Sequence, residues 1–91
     1  MSRDELIDVL ANLVFVACRV KRENFFNPQD KRQVDDLMGS TATSVCCLIN
    51  LYVADYVNFY PHDAFDMILF ESDNCSDLDD LKQSFRKILG E

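Results

Sequence analysis

Apolar residues recur along this chain at intervals of three and four, the spacing of one helix face, in four separate stretches. In the first, Leu6, Leu10, Leu13 and Ala17 centre a stripe that Ile7, Val14, Val9, Val16 and Val20 widen. The arc reaches about 200°, roughly twice what an ordinary surface helix buries. Such a helix is either surrounded by its neighbours or shared with a second subunit. In the second stretch, Val34, Met38, Thr41, Ala42, Val45, Leu48, Ile49, Tyr52, Tyr56 and Phe59 share one face, and the phase survives passage through Gly39-Ser40. This predicts a helix over about 28–59, either continuous or broken near 39–40, where glycine costs about 1 kcal/mol relative to alanine.

Start and stop signals set the remaining boundaries. Ser2 and Glu5 fit a capping box opening a helix over about 3–23, and Asn27-Pro28 reads as an N-cap with proline at the first helical position. A shorter helix, about 61–71, follows Pro61 with Phe65, Ile68 and Leu69 on one side. The last, about 77–89, opens at Ser76-Asp77, carries Lys82, Arg86 and Lys87 toward its end and stops at Gly90, an order that complements the helix dipole. The valine-rich runs lack period-two alternation, and no Asn-Gly or Asp-Gly turn joins them, which disfavours strands. The expected fold is all-α, a small bundle of four helices in a single domain over 1–91.

Composition narrows the class further. With 91 residues, 48% of them hydrophobic and 27% charged, the chain has the profile of one ordinary folded domain. A net charge of −7 argues against direct nucleic-acid binding. The longest purely apolar run, Leu13 to Cys18, falls far short of the roughly 20 residues of a membrane span.

Cys18, Cys46 and Cys47 sit in apolar runs, and Cys75 lies in an acidic one. The opening Met-Ser-Arg-Asp-Glu lacks the basic start of a secretory signal, so the expectation is reduced core thiols and a cytoplasmic location. No C-x₂₋₄-C pair exists and His62 is the only histidine, so no metal or other cofactor is expected. The chain also lacks a Gly-x-Ser-x-Gly, an HExxH and a glycine-rich phosphate loop, which points away from an enzyme. His62, just after Pro61, is expected in solvent at the start of the third helix.

Charge is unevenly distributed. Residues 71–80 hold Glu71, Asp73, Asp77, Asp79 and Asp80 without a basic residue. Asp73, Asp77 and Asp79 have the spacing of calcium-loop positions one, five and seven. Leu78, Cys75 and Ser84 stand where the turn glycine, an oxygen ligand and the bidentate glutamate belong, so a calcium site is not expected. The stretch reads as a solvated turn or as an acidic patch that faces a partner and matters more to binding than to folding.

The aromatics Tyr52, Tyr56, Phe59, Tyr60, Phe65 and Phe70 cluster in sequence and read as core. On the first helix, Phe15 falls on the side opposite the apolar arc, among Asp4, Asp8, Asn12, Arg19 and Arg22. An aromatic set among charges resembles a binding hot spot, so Phe15, Asp8 and Arg19 join the acidic residues as candidate binding positions. The expected function is a non-enzymatic inhibitor or adaptor, of the phage and mobile-element type, that occupies a protein partner's surface. Surplus apolar area on the first helix predicts a homodimer. The rival is a helical oligomer that binds an anionic small molecule through Lys21, Arg22, Lys31 or Arg32.

Overall fold

A computed structural model describes residues 1–23, 31–53 and 58–90. The described residues form four helices: α1 (Arg3–Glu23), α2 (Lys31–Tyr52), α3 (Pro61–Asp73) and α4 (Leu78–Ile88). No strand occurs among them.

Local chemistry accounts for the ends. The Glu5 amide donates to Ser2 Oγ at 3.2 Å, the Ser2 half of the expected box, while the Glu5 carboxylate accepts from the Ser2 hydroxyl at 3.3 Å in place of the Ser2 amide. At α3, Pro61 excludes helical geometry from the residue before it, and Tyr60 is extended (φ −115°, ψ 164°) with its amide bonded to Asp63 Oδ2 at 2.9 Å. At α4, the Asp80 amide donates to Asp77 Oδ1 at 2.9 Å and the Asp77 amide donates to Asp80 Oδ2 at 3.4 Å, a reciprocal cap built from two carboxylates. Gly90 takes a positive φ of 83° just past the end of α4.

The helix predicted over 28–59 is shorter at its end. It runs unbroken through Gly39-Ser40 but stops at Tyr52, and residues 58–60 are not helical. Pro61 holds Tyr60 extended, and Phe59, although it shared the stripe of α2, is not helical. The Asn27-Pro28 cap and Tyr56 lie outside the described residues.

The wide apolar arc of α1 has a structural answer. This helix packs against all three others, and α2 packs against α3 in addition. Leu6, Ile7, Leu10, Ala11, Val14, Ala17 and Cys18 are buried on α1, meeting Met38, Val45 and Ile49 of α2, Ile68 of α3, and Leu81 and Phe85 of α4 in one core. Lys82 of α4 reaches Asp8 at 2.9 Å, and Arg3 donates to the Leu89 carbonyl at 2.7 Å. Rising residue numbers on α4 therefore meet falling ones on α1, so the two helices run antiparallel. Among the described residues, no buried side-chain polar atom lacks a partner.

Candidate interaction surface

The predicted binding residues do not assemble into one site. Phe15 is half-buried and packs against the core, so its expected place in open solvent is wrong. Asp8 lies seven residues before it on the same side of α1, and although exposed it reaches Lys82, so α4 borders that side. Periodicity identified the side of α1 correctly. It could not say that α4, the most amphipathic of the four, would lie along it. Arg19 is exposed and pairs with Glu23 one turn on, at 3.1 Å.

The acidic stretch also divides. Glu71 is only 9% exposed, a buried residue and not part of a solvated patch. It follows Ala64 and Ile68 at helical spacing on the core-facing stripe of α3, a signal that was present in the sequence. Its neighbour Ser72, also buried, accepts a hydrogen bond from Lys21 at 3.1 Å and donates to the Leu69 carbonyl. Lys21 also meets Asp73 at 3.3 Å, which ties the end of α3 to α1. Asp77 and Asp80 are exposed but serve as the cap of α4, and Asp79 is exposed beside them. No grouping of three or more His, Cys, Asp or Glu suited to a metal ion occurs among the described residues.

The aromatic cluster departs furthest from expectation. Among its described members none is fully buried: Phe59 and Phe65 are half-buried, whereas Tyr52, Tyr60 and Phe70 are exposed. Among the described residues the buried aromatic of the core is instead Phe85 of α4. Tyr60 stacks on His62 with ring centres 5.8 Å apart, and His62 itself is solvent-facing beside Asp63 at 3.3 Å. Phe70 stands 64% exposed, out of phase with the Ala64, Ile68 and Ser72 stripe by close to half a turn. The positions seven and four before it and three after it are Asp63, Asp66 and Asp73, which share its helix face. The outer face of α3 is thus an apolar ring framed by carboxylates, the arrangement expected of Phe15 but found on another helix.

A second apolar feature lies between α1 and α2. A groove of about 430 Å³ is lined by Asp8, Val9, Asn12, Leu13, Val16 and Ala17 of α1 with Leu37 and Thr41 of α2. Val9, Val16 and Leu37 on its rim are exposed.

The cysteines are unpaired. Cys18 and Cys46 are buried as expected, whereas Cys47 is exposed because the next position along α2 turns by about 100° out of the core. Cys75 is exposed in the turn after α3. Burial pushes the Cys18 thiol up from 9.0 to about 11, with Glu71 adding to the rise and Arg22 and Lys21 opposing it. Burial likewise raises Cys46. No described helix is long and apolar enough to cross a membrane. Protein-family models, curated proteins and solved structures yield no match to the chain.

Proposed function

We propose that this protein is a non-enzymatic interaction module, an inhibitor or adaptor that covers a basic surface of a protein partner with the outer face of α3. The observation that carries this reading is the exposure of Phe70 among Asp63, Asp66 and Asp73. An aromatic ring kept in water gains free energy when a partner's pocket takes it up, and phenylalanine is rigid enough to be ordered at low entropic cost. The surrounding carboxylates supply the polar rim. They favour a partner rich in Lys and Arg and speed its approach at low ionic strength. Asp77, Asp79 and Asp80 extend the same sign of charge past the turn into the start of α4. Asp77 and Asp80 hold that helix start in place as well, so the acidic stretch serves folding and binding together.

The reading is tested by affinity capture on immobilised wild type, Phe70→Ala and the Asp66→Asn/Asp73→Asn double variant, followed by titration of the purified partner. Wild type retains a partner whose affinity falls with added salt, and Phe70→Ala weakens it by about 30-fold or more, as for a hot spot. The double variant flattens the salt dependence. A partner held equally by all three proteins, or the absence of any partner, overturns the reading.

A further inference from the structure

A separate face of the molecule points to a partner of defined chemistry, a second copy of the chain. Glu5, Val9, Asn12, Val16, Arg19 and Glu23 succeed one another on α1 at spacings of four and three, and all six are exposed. That is the repeat of a coiled-coil seam, here turned to solvent beside the groove that Leu37 closes. Its two valines are flanked by opposite charges: Glu5 lies one turn before Val9, and Arg19, followed by Glu23, lies one turn after Val16.

We propose that α1 packs antiparallel against α1 of a second copy, about a twofold axis at Asn12, so that Val9 of each copy meets Val16 of the other. This arrangement sets Glu5 of one copy opposite Arg19 of the other, twice. A parallel arrangement would set Glu5 against Glu5 and Arg19 against Arg19, which like charges oppose. Shifting the antiparallel axis by half a turn would place Val9 against Arg19 and Asn12 against Val16. Asn12 suits the axis: its amide donates to the Asp8 carbonyl at 2.7 Å, and its remaining N–H and carbonyl oxygen can pair with the same groups of its symmetry mate. A single polar residue in an apolar seam is a known means of fixing register. Arg19 already pairs with Glu23, and Asp8 with Lys82. The Arg19–Glu23 pair is exposed, so exchanging Glu23 for Glu5 of the other copy costs little. Val16 of the second copy then enters the groove at the end lined by Val9, Asn12 and Leu13. The seam is one helix wide, which places the association among the small interfaces and its dissociation constant in the micromolar range.

Sedimentation of the purified protein across that range tests the proposal. The mass should rise from 10.5 kDa toward twice that value with concentration. Val16→Glu places an unpaired charge in the seam and should weaken association by about 30-fold or more, with the fold intact because Val16 is 55% exposed. Arg19→Glu should weaken it about fivefold, and Glu5→Arg added to the same chain should restore it, because both pairs are then reversed. In a Cys47→Ser/Cys75→Ser background, Val9→Cys and Val16→Cys chains should form a disulfide when mixed under oxidation and not when kept apart. A protein that remains monomeric, a dimer indifferent to Val16→Glu, or a Val9→Cys chain that cross-links to itself would each overturn the proposal. None of these outcomes bears on the α3 face, so this inference and the proposed function fail separately.

Discussion

Single residues on α1 and α3 show how far exposure can be read from charge neighbours. Phe15 and Phe70 both stand among charged residues in sequence, yet Phe15 is half-buried against the core, on the side of α1 where Asp8 meets Lys82 of α4, whereas Phe70 on the outer face of α3 is 64% exposed. Truncating Phe15 to alanine should cost about 2 kcal/mol by urea unfolding, below the 3–5 of a fully buried phenylalanine because it is half-exposed. Phe70→Ala should change stability by less than about 0.5 kcal/mol. A Phe15 variant as stable as wild type would mean that this ring does not pack against the core. The thiols separate by burial in the same way. Under native conditions a disulfide reagent should react readily with Cys47 and Cys75 and slowly with Cys18 and Cys46, and all four should react after denaturation. Cys18 also makes stability depend on pH. The unfolded chain loses this proton near pH 9.0, whereas the native protein keeps it to about pH 11. The stabilisation is therefore complete below pH 9 and is lost as pH rises through the native value. The denaturant midpoint should fall across that window, and less steeply in Cys18→Ala.

Helices α2 and α3 carry backbone choices that make two substitutions informative. Gly39 sits in the middle of α2, and a Cβ added there would meet nothing within 4 Å. Gly39→Ala should stabilise the protein by about 0.5–1 kcal/mol, since the unfolded chain loses freedom and the helix loses nothing. Cys75 presents the reverse case. It takes a left-handed φ of 52° where the amide of Ser76 bonds back to the Glu71 carbonyl at 3.1 Å, a position that favours glycine at a helix end. Cys75→Gly should therefore stabilise by about 1 kcal/mol despite the added unfolded-state entropy. Thermal melts of the two variants read both effects, and a lowered midpoint for Gly39→Ala would mean that α2 bends there. The acidic stretch acts at this scale too. Removing Asp77 or Asp80 takes away part of the cap of α4, at about 1 kcal/mol each, so neutralising the stretch is not neutral for folding.

The whole molecule is organised around α1, the helix in contact with every other. Its radius of gyration of 12.9 Å is close to the roughly 12 Å of a compact chain of this length, while its extents of 41 × 21 × 19 Å follow the long axes of α1 and α2. A protein so built should unfold in a single transition, because no helix has a core of its own. If α1 also forms the twofold seam, the melting midpoint of wild type should rise with protein concentration while that of Val16→Glu stays constant. Parallel concentration curves for the two would contradict that seam.

Much of this architecture was legible in the sequence because its causes are local. Four helices, the ends of α1, α3 and α4, the starts at Ser2, Pro61 and Asp77, and the stop at Gly90 follow from periodicity and from a few residues with fixed conformational preferences, whereas the stripe of α2 ran seven residues past its end at Tyr52. The continuity of α2 through Gly39 was foreshadowed by a stripe whose phase did not reset. Even the burial of Glu71 lay in its spacing from Ala64 and Ile68. What only the tertiary structure decided is which partner each helix face meets. Phe15 packs against the core and Phe70 does not, and the apolar edge of α1 stays open at Val9 and Val16 because three helices suffice to cover only the rest. Periodicity assigns a side chain to a side of its own helix, and the choice of neighbour depends on how all four helices bury their apolar area at once.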